Sequence, residues 1–273
     1  MDPDTVVRRI EDVEIQGATA VAEAGIELLK AMDEEGRSKD ELEETRQALR
    51  SARPTEPLLF NCLDASRENG YDAVLDHIRT ARDAIAEIGA PIVEDNDVIY
   101  THCHSSTVTA VLTEAYEETS FEVRVTETRP LYQGRETAGE LAEGGIPVQL
   151  YVDSGVRLAL KEADHMFIGA DAVTHDGAVV NKVGSGLFAA TASRHDVPVY
   201  VFADAWKLTE EVDIEERDPD EVWDDRPGGV TVANPAFETI TPGNVDGIVS
   251  ELGVHEPNAF MDAARDAYPE VGT

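Results

Sequence analysis

Lysine is scarce in this chain. It occurs five times in 273 residues, as Lys30, Lys39, Lys161, Lys182 and Lys207, and the 22 basic residues face 56 acidic ones, for a net charge of −34. Because no basic stripe is available to neutralise phosphates, binding of nucleic acid is excluded. The acids are spread along the whole chain rather than gathered in blocks, which predicts a solvated acidic shell of halophilic character rather than a site for a basic partner.

Cysteine and long apolar runs are also scarce. Cys62 and Cys103 are the only cysteines, too few for a disulfide framework, so a reducing cytoplasm is the expected location. The sequence shows no membrane span, signal peptide or transit peptide. We therefore predict a cytoplasmic protein without a membrane partner, in which Cys62 is a small buried apolar residue.

Residues 1–93 are predicted to form a small N-terminal helical domain. Gly17 is a permissive entry to the first helix, Ser38 with Glu41 forms a capping box for the second, and Pro54 ends it. Apolar residues at helical spacing predict helices over Ala18–Met32, Ser38–Leu49 and Tyr71–Ile88.

Residues 94–273 are predicted to form a Rossmann-like, doubly wound domain with a mainly parallel sheet. Short apolar runs predict strands over Val98–Tyr100, Phe121–Val125, Val148–Val152, His165–Ile168 and Val197–Phe202. Helices are predicted between them, over Ser106–Glu117, Arg135–Glu143, Ser154–Glu162 and Ser185–His195. This alternation implies helices on both faces of the sheet.

Ligands bind such sheets outside the carboxyl ends of the strands. In this sequence, polar residues follow the end of every predicted strand. Arg129, Arg135, Lys182 and Lys207 follow strand ends and stand out as cations in an anionic chain. These four cations, together with turns that contain glycine and hydroxyl-bearing residues, predict an anionic ligand, most naturally phosphate. The acidic segment Glu210–Gly229 is either a loop over this site or a surface insertion.

The stretch Ile99–Val108 (IYTHCHSSTV) suggests a metal site, a reactive thiol or an inert cysteine. Strand alternation places Cys103 opposite His102 and His104, and no ligand pair at metal spacing accompanies them, so we predict no metal ion. Asp171 is either a helix N-cap or a catalytic carboxyl. No complete dinucleotide fingerprint is present, and we predict no cofactor.

Several motifs together resemble one superfamily. It joins the regulatory subunits of translation initiation factor 2B, methylthioribose-1-phosphate isomerase and ribose-1,5-bisphosphate isomerase. The motifs are THCHSSTV (101–108), ETRPLYQGRETA (127–138), GIPVQLYVDSGVR (145–157), GADAVTHDGAVVNKVG (169–184) and VPVYVFADAWK (197–207), with weaker matches at 15–19 and 53–55.

The resemblance implies an enzyme, because the isomerases place a cysteine and an aspartate at Cys103 and Asp171, whereas the regulatory subunits lose one or both. The wording of the RPT, ETRPLYQGR and DGAVVNK segments is more similar to ribose-1,5-bisphosphate isomerase than to the methylthioribose enzyme. The alternatives are that second isomerase and a non-catalytic regulatory subunit. Relatives form dimers or hexamers, so a homo-oligomer, a dimer or a trimer of dimers, is expected.

The resemblance also implies a set of site residues for a small sugar phosphate. Cys103 as thiolate would move a proton between C2 and C1, while protonated Asp171 would donate to the ring oxygen. Gln16 stands where the bisphosphate isomerases usually have an arginine. The substrate would be held by Gln16, Gly17, Ala18, Thr19, Arg53, Ser105, Ser106, Thr107, Asn181, Lys182 and Lys207.

Overall fold

Five helices precede the first strand in the computed structural model, which describes residues 2–272. They are α1 (Pro3–Glu11), α2 (Ala18–Glu34), α3 (Lys39–Ala52), α4 (Pro57–Asn69) and α5 (Tyr71–Gly89). Ser38 accepts the Glu41 N–H, and the Glu41 carboxylate accepts the Ser38 N–H, so the predicted capping box is confirmed. Gly17, with φ of +83°, is the entry residue of α2, as predicted.

A seven-stranded sheet follows, in the order β11-β10-β7-β4-β1-β2-β3. All neighbours are parallel except β11, which pairs antiparallel with β10. Its strands are β1 (Val98–His102), β2 (Glu122–Thr126), β3 (Val148–Tyr151), β4 (His165–Gly169), β7 (Val199–Phe202), β10 (Gly247–Ser250) and β11 (Gly253–His255). The five predicted strands are confirmed, and the last two were missed.

Five further helices complete the fold: α6 (Ser106–Tyr116), α7 (Gln133–Glu143), α8 (Val156–Ala159), α9 (Ser185–Arg194) and α10 (Pro257–Ala267). The long helix predicted over Ser154–Glu162 was wrong, since only one α-helical turn forms there. Helices α1, α4 and α10 were not predicted.

Alternate strand residues enter two separate cores, one on each face of the sheet. Ile99 and Phe167 pack in a core with α5, α6 and α7. Tyr100 and Met166 pack in the other core with α9, α10 and the helices of the N-terminal region. The doubly wound α/β fold is therefore confirmed. Because the second core joins the N-terminal helices to the sheet, the division into domains at residues 93 and 94 stays a prediction.

A second, four-stranded sheet lies beside the first in the order β8-β5-β6-β9 and was not predicted. Its strands are β5 (Ala172–Thr174), β6 (Val179–Lys182), β8 (Leu208–Thr209) and β9 (Phe237–Ile240). The turn at Asp176-Gly177 joins β5 to β6, which pair antiparallel. Among the described residues, no helix is long and apolar enough to cross a membrane.

Candidate active site

One cavity of about 120 Å³ brings together the thirteen residues that the resemblance implies for catalysis and substrate binding. It lies at the carboxyl ends of β1 and β4, against the entry of α2 and the small sheet. The wall contains Cys103 and Asp171 together with Gln16, Gly17, Ala18, Thr19, Arg53, Ser105, Ser106, Thr107, Asn181, Lys182 and Lys207. The structure shows that these residues line one cavity, whereas their roles in catalysis and substrate binding stay predictions.

Cys103 occupies the first residue after β1 and has a left-handed backbone, with φ of +68°. Its N–H donates to Thr128 Oγ1 (2.9 Å), and its carbonyl accepts from Thr137 Oγ1 (2.9 Å). Non-glycine residues rarely adopt this conformation, which persists where the surroundings enforce it. The two threonines therefore fix the turn that presents the thiol to the cavity.

The Cys103 thiol joins a chain of two amides. Its Sγ donates to Gln133 Oε1 (3.5 Å), and Gln133 Nε2 donates to Gln16 Oε1 (2.9 Å). The N-terminal residue of α7 thus connects the thiol to the loop that enters α2. Gln133 lines the cavity but was missed, because a glutamine after a turn carries no distinctive signal in one sequence.

The surroundings of the Cys103 thiol oppose its ionisation, and its role as a thiolate base stays a prediction. Burial raises the pKa of the thiol to about 11; the charge of Lys182 opposes this rise and that of Asp171 adds to it. The thiol is therefore protonated near neutral pH. The start of α6, capped by Ser105 Oγ on the Val108 N–H (3.3 Å), lies beside it as a source of positive potential.

The two histidines that flank Cys103 point to different surroundings. His102 is 2% exposed, and its Nδ1 and Nε2 meet Thr126 Oγ1 (2.8 Å) and the Val183 carbonyl (3.1 Å). Burial lowers the pKa of His102 to about 4, so this ring is neutral. His104 lines the cavity and contacts Glu140 Oε2 (3.0 Å).

The three residues of the HCH triplet therefore do not converge on one point. Two other groups of described side chains have metal-ligand spacing, His77 with Asp204 and Glu251, and His104 with Glu136 and Glu140. We predicted that alternation along a strand would separate the Cys103 side chain from those of His102 and His104. The cause is different, because β1 ends at His102 and Cys103 lies in a left-handed turn. That the protein works without a metal stays a prediction.

Asp171 lies in the link between β4 and β5, where no helix begins, so the N-cap interpretation was wrong. Its N–H donates to the Val180 carbonyl (2.9 Å), which leaves its side chain on the cavity wall. Burial raises the pKa of the carboxyl against the opposing charges of Lys207, Lys182 and Arg53. The direction of this shift is the one that a carboxylic acid donor needs.

Lys182 and Lys207 are both buried beside Asp171, at 9% and 5% exposure. Asn181 and Lys182 are the last two residues of strand β6. Lys207 Nζ donates to the Ala170 carbonyl (2.6 Å). Asp204 begins the short turn that carries Lys207. Its Oδ1 accepts a hydrogen bond from the Trp206 N–H (2.8 Å) and lies 3.1 Å from His77 Nε2.

Arg53 and Glu56 form an ion pair that is buried in the wall, with Nη2 2.7 Å from Oε1. Neither Nε nor Nη1 of Arg53, nor Oε2 of Glu56, has a hydrogen-bond partner among the described residues. Burial raises the pKa of Glu56 to about 8, while the charge of Arg53 lowers it. Buried donors without partners are uncommon in proteins, and here they line a cavity open to a ligand.

Two of the four cations expected at the site do not reach it. Arg129 bonds to the Tyr132 hydroxyl (2.7 Å) and Arg135 to Glu127 (2.6 Å), both at exposed positions outside the cavity wall. Arg217, which was not predicted, does line the cavity, together with Glu215. The Glu210–Gly229 segment therefore contributes two residues to the wall.

Fold and cavity together define an α/β protein with a cation-lined cavity at the carboxyl ends of parallel strands. The model of the Initiation factor 2 subunit family matches residues 14–257, and the chain belongs to this family.

Its relatives include enzymes and proteins named for translation. A ribose 1,5-bisphosphate isomerase from Pyrococcus furiosus is 35% identical over 96% of this chain and 93% of its own length. Another, from Haloferax volcanii, is 36% identical over 96% and 91%. The solved structure of the translation initiation factor eIF-2B from Pyrococcus horikoshii matches with a TM-score of 0.85 at 30% identity, over 95% of this chain and 98% of that one.

Proposed function

We propose that this chain is an aldose–ketose isomerase that converts ribose 1,5-bisphosphate to ribulose 1,5-bisphosphate. The observation that carries the proposal is the placement of a thiol and a raised-pKa carboxyl on one cation-lined cavity. Relatives named for this activity match nearly the whole chain. The same site argues against a non-catalytic regulatory subunit, which would need neither Cys103 nor Asp171.

Asp171 serves as the acid in the first step. The substrate enters as a closed furanose, because its anomeric phosphate blocks a free aldehyde. Asp171 donates its proton to the ring oxygen as the bond between that oxygen and C1 breaks. Burial raises the pKa of this carboxyl, and a shift in that direction favours the protonated form that an acid catalyst needs.

Cys103 moves the substrate proton. As a thiolate it removes the proton from C2, the C2–H electrons form the C1=C2 double bond, and the ring opens to a cis-enol phosphate. The C2 hydroxyl then returns a proton to the Asp171 carboxylate while the thiol protonates C1, which leaves a ketone at C2. Lys182 and the N-terminus of α6 would stabilise the thiolate against the effect of burial, which raises the pKa of the thiol.

Phosphate binding is assigned to the cations and N–H groups around the two reacting side chains. The first N–H groups of α6, at Ser106 and Thr107, have no acceptor within their helix and suit an anion. Lys182 and Lys207 provide positive charge, and the Gln16–Thr19 turn provides further backbone donors. No cofactor is needed, because the proton that leaves C2 returns to C1.

A panel of sugar phosphates tests the substrate assignment. Purified protein in about 2 M KCl would be given ribose 1,5-bisphosphate, methylthioribose 1-phosphate and ribose 1-phosphate, with products followed by phosphorus NMR. We expect the bisphosphate to be turned over with the highest kcat/KM. Preference for the methylthio sugar would support the second isomerase instead, and binding of initiation factor 2 without any turnover would support a regulatory subunit.

We further propose a cytoplasmic homo-oligomer, a dimer or a trimer of dimers, adapted to high salt. Support for self-association comes from the edge strand β3 and the adjoining α8, where Leu150, Val152 and Leu158 are 45%, 57% and 58% exposed. Exposed apolar side chains at a sheet edge are typical of interfaces. Sedimentation analysis in about 2 M KCl measures the oligomeric state directly.

A further inference from the structure

His102, the last residue of β1, contacts two separate segments of the chain through the two nitrogens of its ring. Nε2 lies 3.1 Å from the Val183 carbonyl oxygen, and Nδ1 lies 2.8 Å from Thr126 Oγ1 and 3.2 Å from Thr128 Oγ1. The Phe188 ring packs against the histidine at a near right angle, with 4.7 Å between the ring centroids. The histidine is therefore enclosed between the end of β2 and the residues that follow β6.

The hydrogen bonds of this ring have a fixed direction. A carbonyl oxygen can only accept, so Nε2 carries the ring proton and donates to Val183. Because burial lowers the pKa of His102 to about 4, the ring is neutral, and Nδ1 accepts from the Thr126 hydroxyl. Thr126 Oγ1 in turn accepts from the buried Tyr100 hydroxyl (3.0 Å). The ring is thus held in one tautomer and one orientation.

The histidine connects two side chains that the proposed mechanism uses. His102 directly precedes Cys103, whose N–H donates to Thr128 Oγ1 (2.9 Å). Val183 directly follows Lys182, the last residue of β6. Strand β1 lies in the seven-stranded sheet and β6 in the four-stranded sheet, so their relative position does not follow from pairing between them. The hydrogen bond from Nε2 therefore joins the strand end that precedes the thiol to the strand end that carries the lysine.

The turn after β6 is packed closely against the ring. Gly184 has φ of +106°, and a Cβ added to it would lie 3.2 Å from His102 Nε2. The N–H groups of Gly184 and Gly186 both donate to Glu238 Oε1 (2.7 Å each). The turn is thus held by a carboxylate from β9 and by the histidine from β1.

We propose that His102 is a positioning residue, which fixes Lys182 relative to the Cys103 thiol through its hydrogen bond to the Val183 carbonyl. Lys182 and Cys103 both line the cavity, whereas His102 is not part of the wall. The positive charge of Lys182 favours the thiolate that the proposed base must form. The inference rests on the proposed function, because it gives the thiol the role of a base.

Two amide replacements separate the contacts of the ring. In His102→Gln, the side-chain amide nitrogen can take the place of Nε2 and keep the donor to Val183. In His102→Asn, the amide oxygen can take the place of Nδ1 and accept from Thr126, but the donor to Val183 is lost. His165→Asn is the control. Because His165 begins β4, which is parallel to β1, it lies at the end of the sheet opposite to the cavity.

Alkylation of Cys103 by iodoacetamide at about pH 8.5 measures the thiolate in each variant without any substrate. We expect His102→Asn to slow the reaction about threefold or more, because Lys182 is no longer fixed beside the thiol. His102→Gln and His165→Asn should stay within about twofold of the unaltered chain. An unchanged or faster reaction in His102→Asn, or an equal loss in His102→Gln, overturns the inference.

A double-mutant cycle with Lys182→Met separates positioning of the lysine from a general loosening of the site. Lys182→Met removes the charge and is itself expected to slow alkylation. If His102 acts through Lys182, His102→Asn changes the rate less than about 1.5-fold in the Lys182→Met chain. The same loss in both backgrounds overturns the inference, since it marks an effect on access to the thiol.

Nitrogen-15 NMR of histidine-labelled protein tests the contact in the unaltered chain. Once the chain is assigned, His102 Nε2 is expected to carry a proton and Nδ1 none. An Nε2 without a proton overturns the inference, because the ring could not then donate to Val183.

Failure of this inference is distinguishable from failure of the proposed function. If the unaltered chain does not isomerise ribose 1,5-bisphosphate, the proposed function fails whatever the alkylation rates show. If it does isomerise the substrate, and His102→Asn alkylates as fast as the unaltered chain or loses rate equally without the Lys182 charge, only the inference fails. A loss that His102→Gln does not show and that Lys182→Met abolishes supports it.

Discussion

At the scale of single residues, burial acts in the same direction on the two groups that the proposed mechanism uses. The Cys103 thiol and the Asp171 carboxyl both have raised pKa values, and burial is the largest cause in each case. This direction favours the protonated form that the proposed acid needs, whereas the proposed base must first lose its proton. Ionising a thiol of pKa about 11 near pH 7 costs about 5 kcal/mol, which places part of the barrier in this step.

Alkylation of Cys103 measures this cost directly. Because iodoacetamide reacts with the thiolate, the rate is expected to rise about tenfold per pH unit from about pH 7 to about pH 10. Mass spectrometry locates the modified residue, and Cys103→Ser gives the background from the fully buried Cys62. A rate that levels off near neutral pH would show that the thiol is already ionised at that pH.

Stability should depend on pH through Glu56. This carboxyl has a pKa of about 8 in the folded chain, above its ordinary value of 4.5. Between these two pH values the unfolded chain binds fewer protons, so this group's contribution to stability is present at low pH and is lost as pH rises. Glu56→Gln should therefore gain stability, relative to the unaltered chain, by a few kcal/mol on going from about pH 5 to about pH 8.

Urea unfolding at constant salt gives the free energy at each pH. The difference in the free energy of unfolding between the unaltered chain and Glu56→Gln reports on Glu56 alone, because the other carboxylates titrate in both chains. The same difference at both pH values would mean that Glu56 is ionised in the folded protein and fully compensated by Arg53.

At the scale of elements, the start of α7 is held tightly against β2. A Cβ added to Gly134 would lie 1.8 Å from the Thr126 carbonyl oxygen, a backbone atom that cannot yield. Gly139, one turn further along the same helix, has nothing within 4 Å. The close approach fixes Gln133, the residue that accepts from the Cys103 thiol.

Replacement of these two glycines by alanine should have opposite effects. Gly134→Ala is expected to destabilise the protein by about 2 kcal/mol or more and to lower kcat, because α7 must move away from the thiol. Gly139→Ala should be neutral or stabilising by up to about 1 kcal/mol, since alanine favours the helix. Urea unfolding and turnover of both variants check this, and equal behaviour would contradict the close packing seen at Gly134.

The elements that the sequence predicted are those with strong periodicity. The five parallel strands and the capping box at Ser38 could be found because apolar runs and cap residues act locally. Strands β5, β6, β8 and β9 were missed, since each has two to four residues and is defined by pairing with distant segments. The same holds for the site: the residues that the resemblance assigned lie on the cavity, whereas Glu56, Glu215 and Arg217 lie outside the motifs and reach it only through tertiary packing.

At the scale of the whole molecule, a net charge of −34 makes the folded state sensitive to salt. Repulsion between the spread acids is screened over about 10 Å at 0.1 M salt and about 3 Å at 1 M. The unfolding midpoint is therefore expected to rise by about 5 °C or more between about 0.1 and 2 M KCl. Thermal unfolding followed by circular dichroism measures it, and a midpoint independent of KCl would contradict adaptation to high salt.

Turnover of ribose 1,5-bisphosphate tests the central claim most directly. Phosphorus NMR in about 2 M KCl would follow the unaltered chain, Cys103→Ser and Asp171→Asn, with the affinity of each variant for the substrate measured separately. The account predicts ribulose 1,5-bisphosphate from the unaltered chain, and a fall in kcat of about a thousandfold in each variant with substrate still bound. Full turnover by both variants would show that Cys103 and Asp171 do not carry the reaction, and no turnover by the unaltered chain would refute the isomerase assignment.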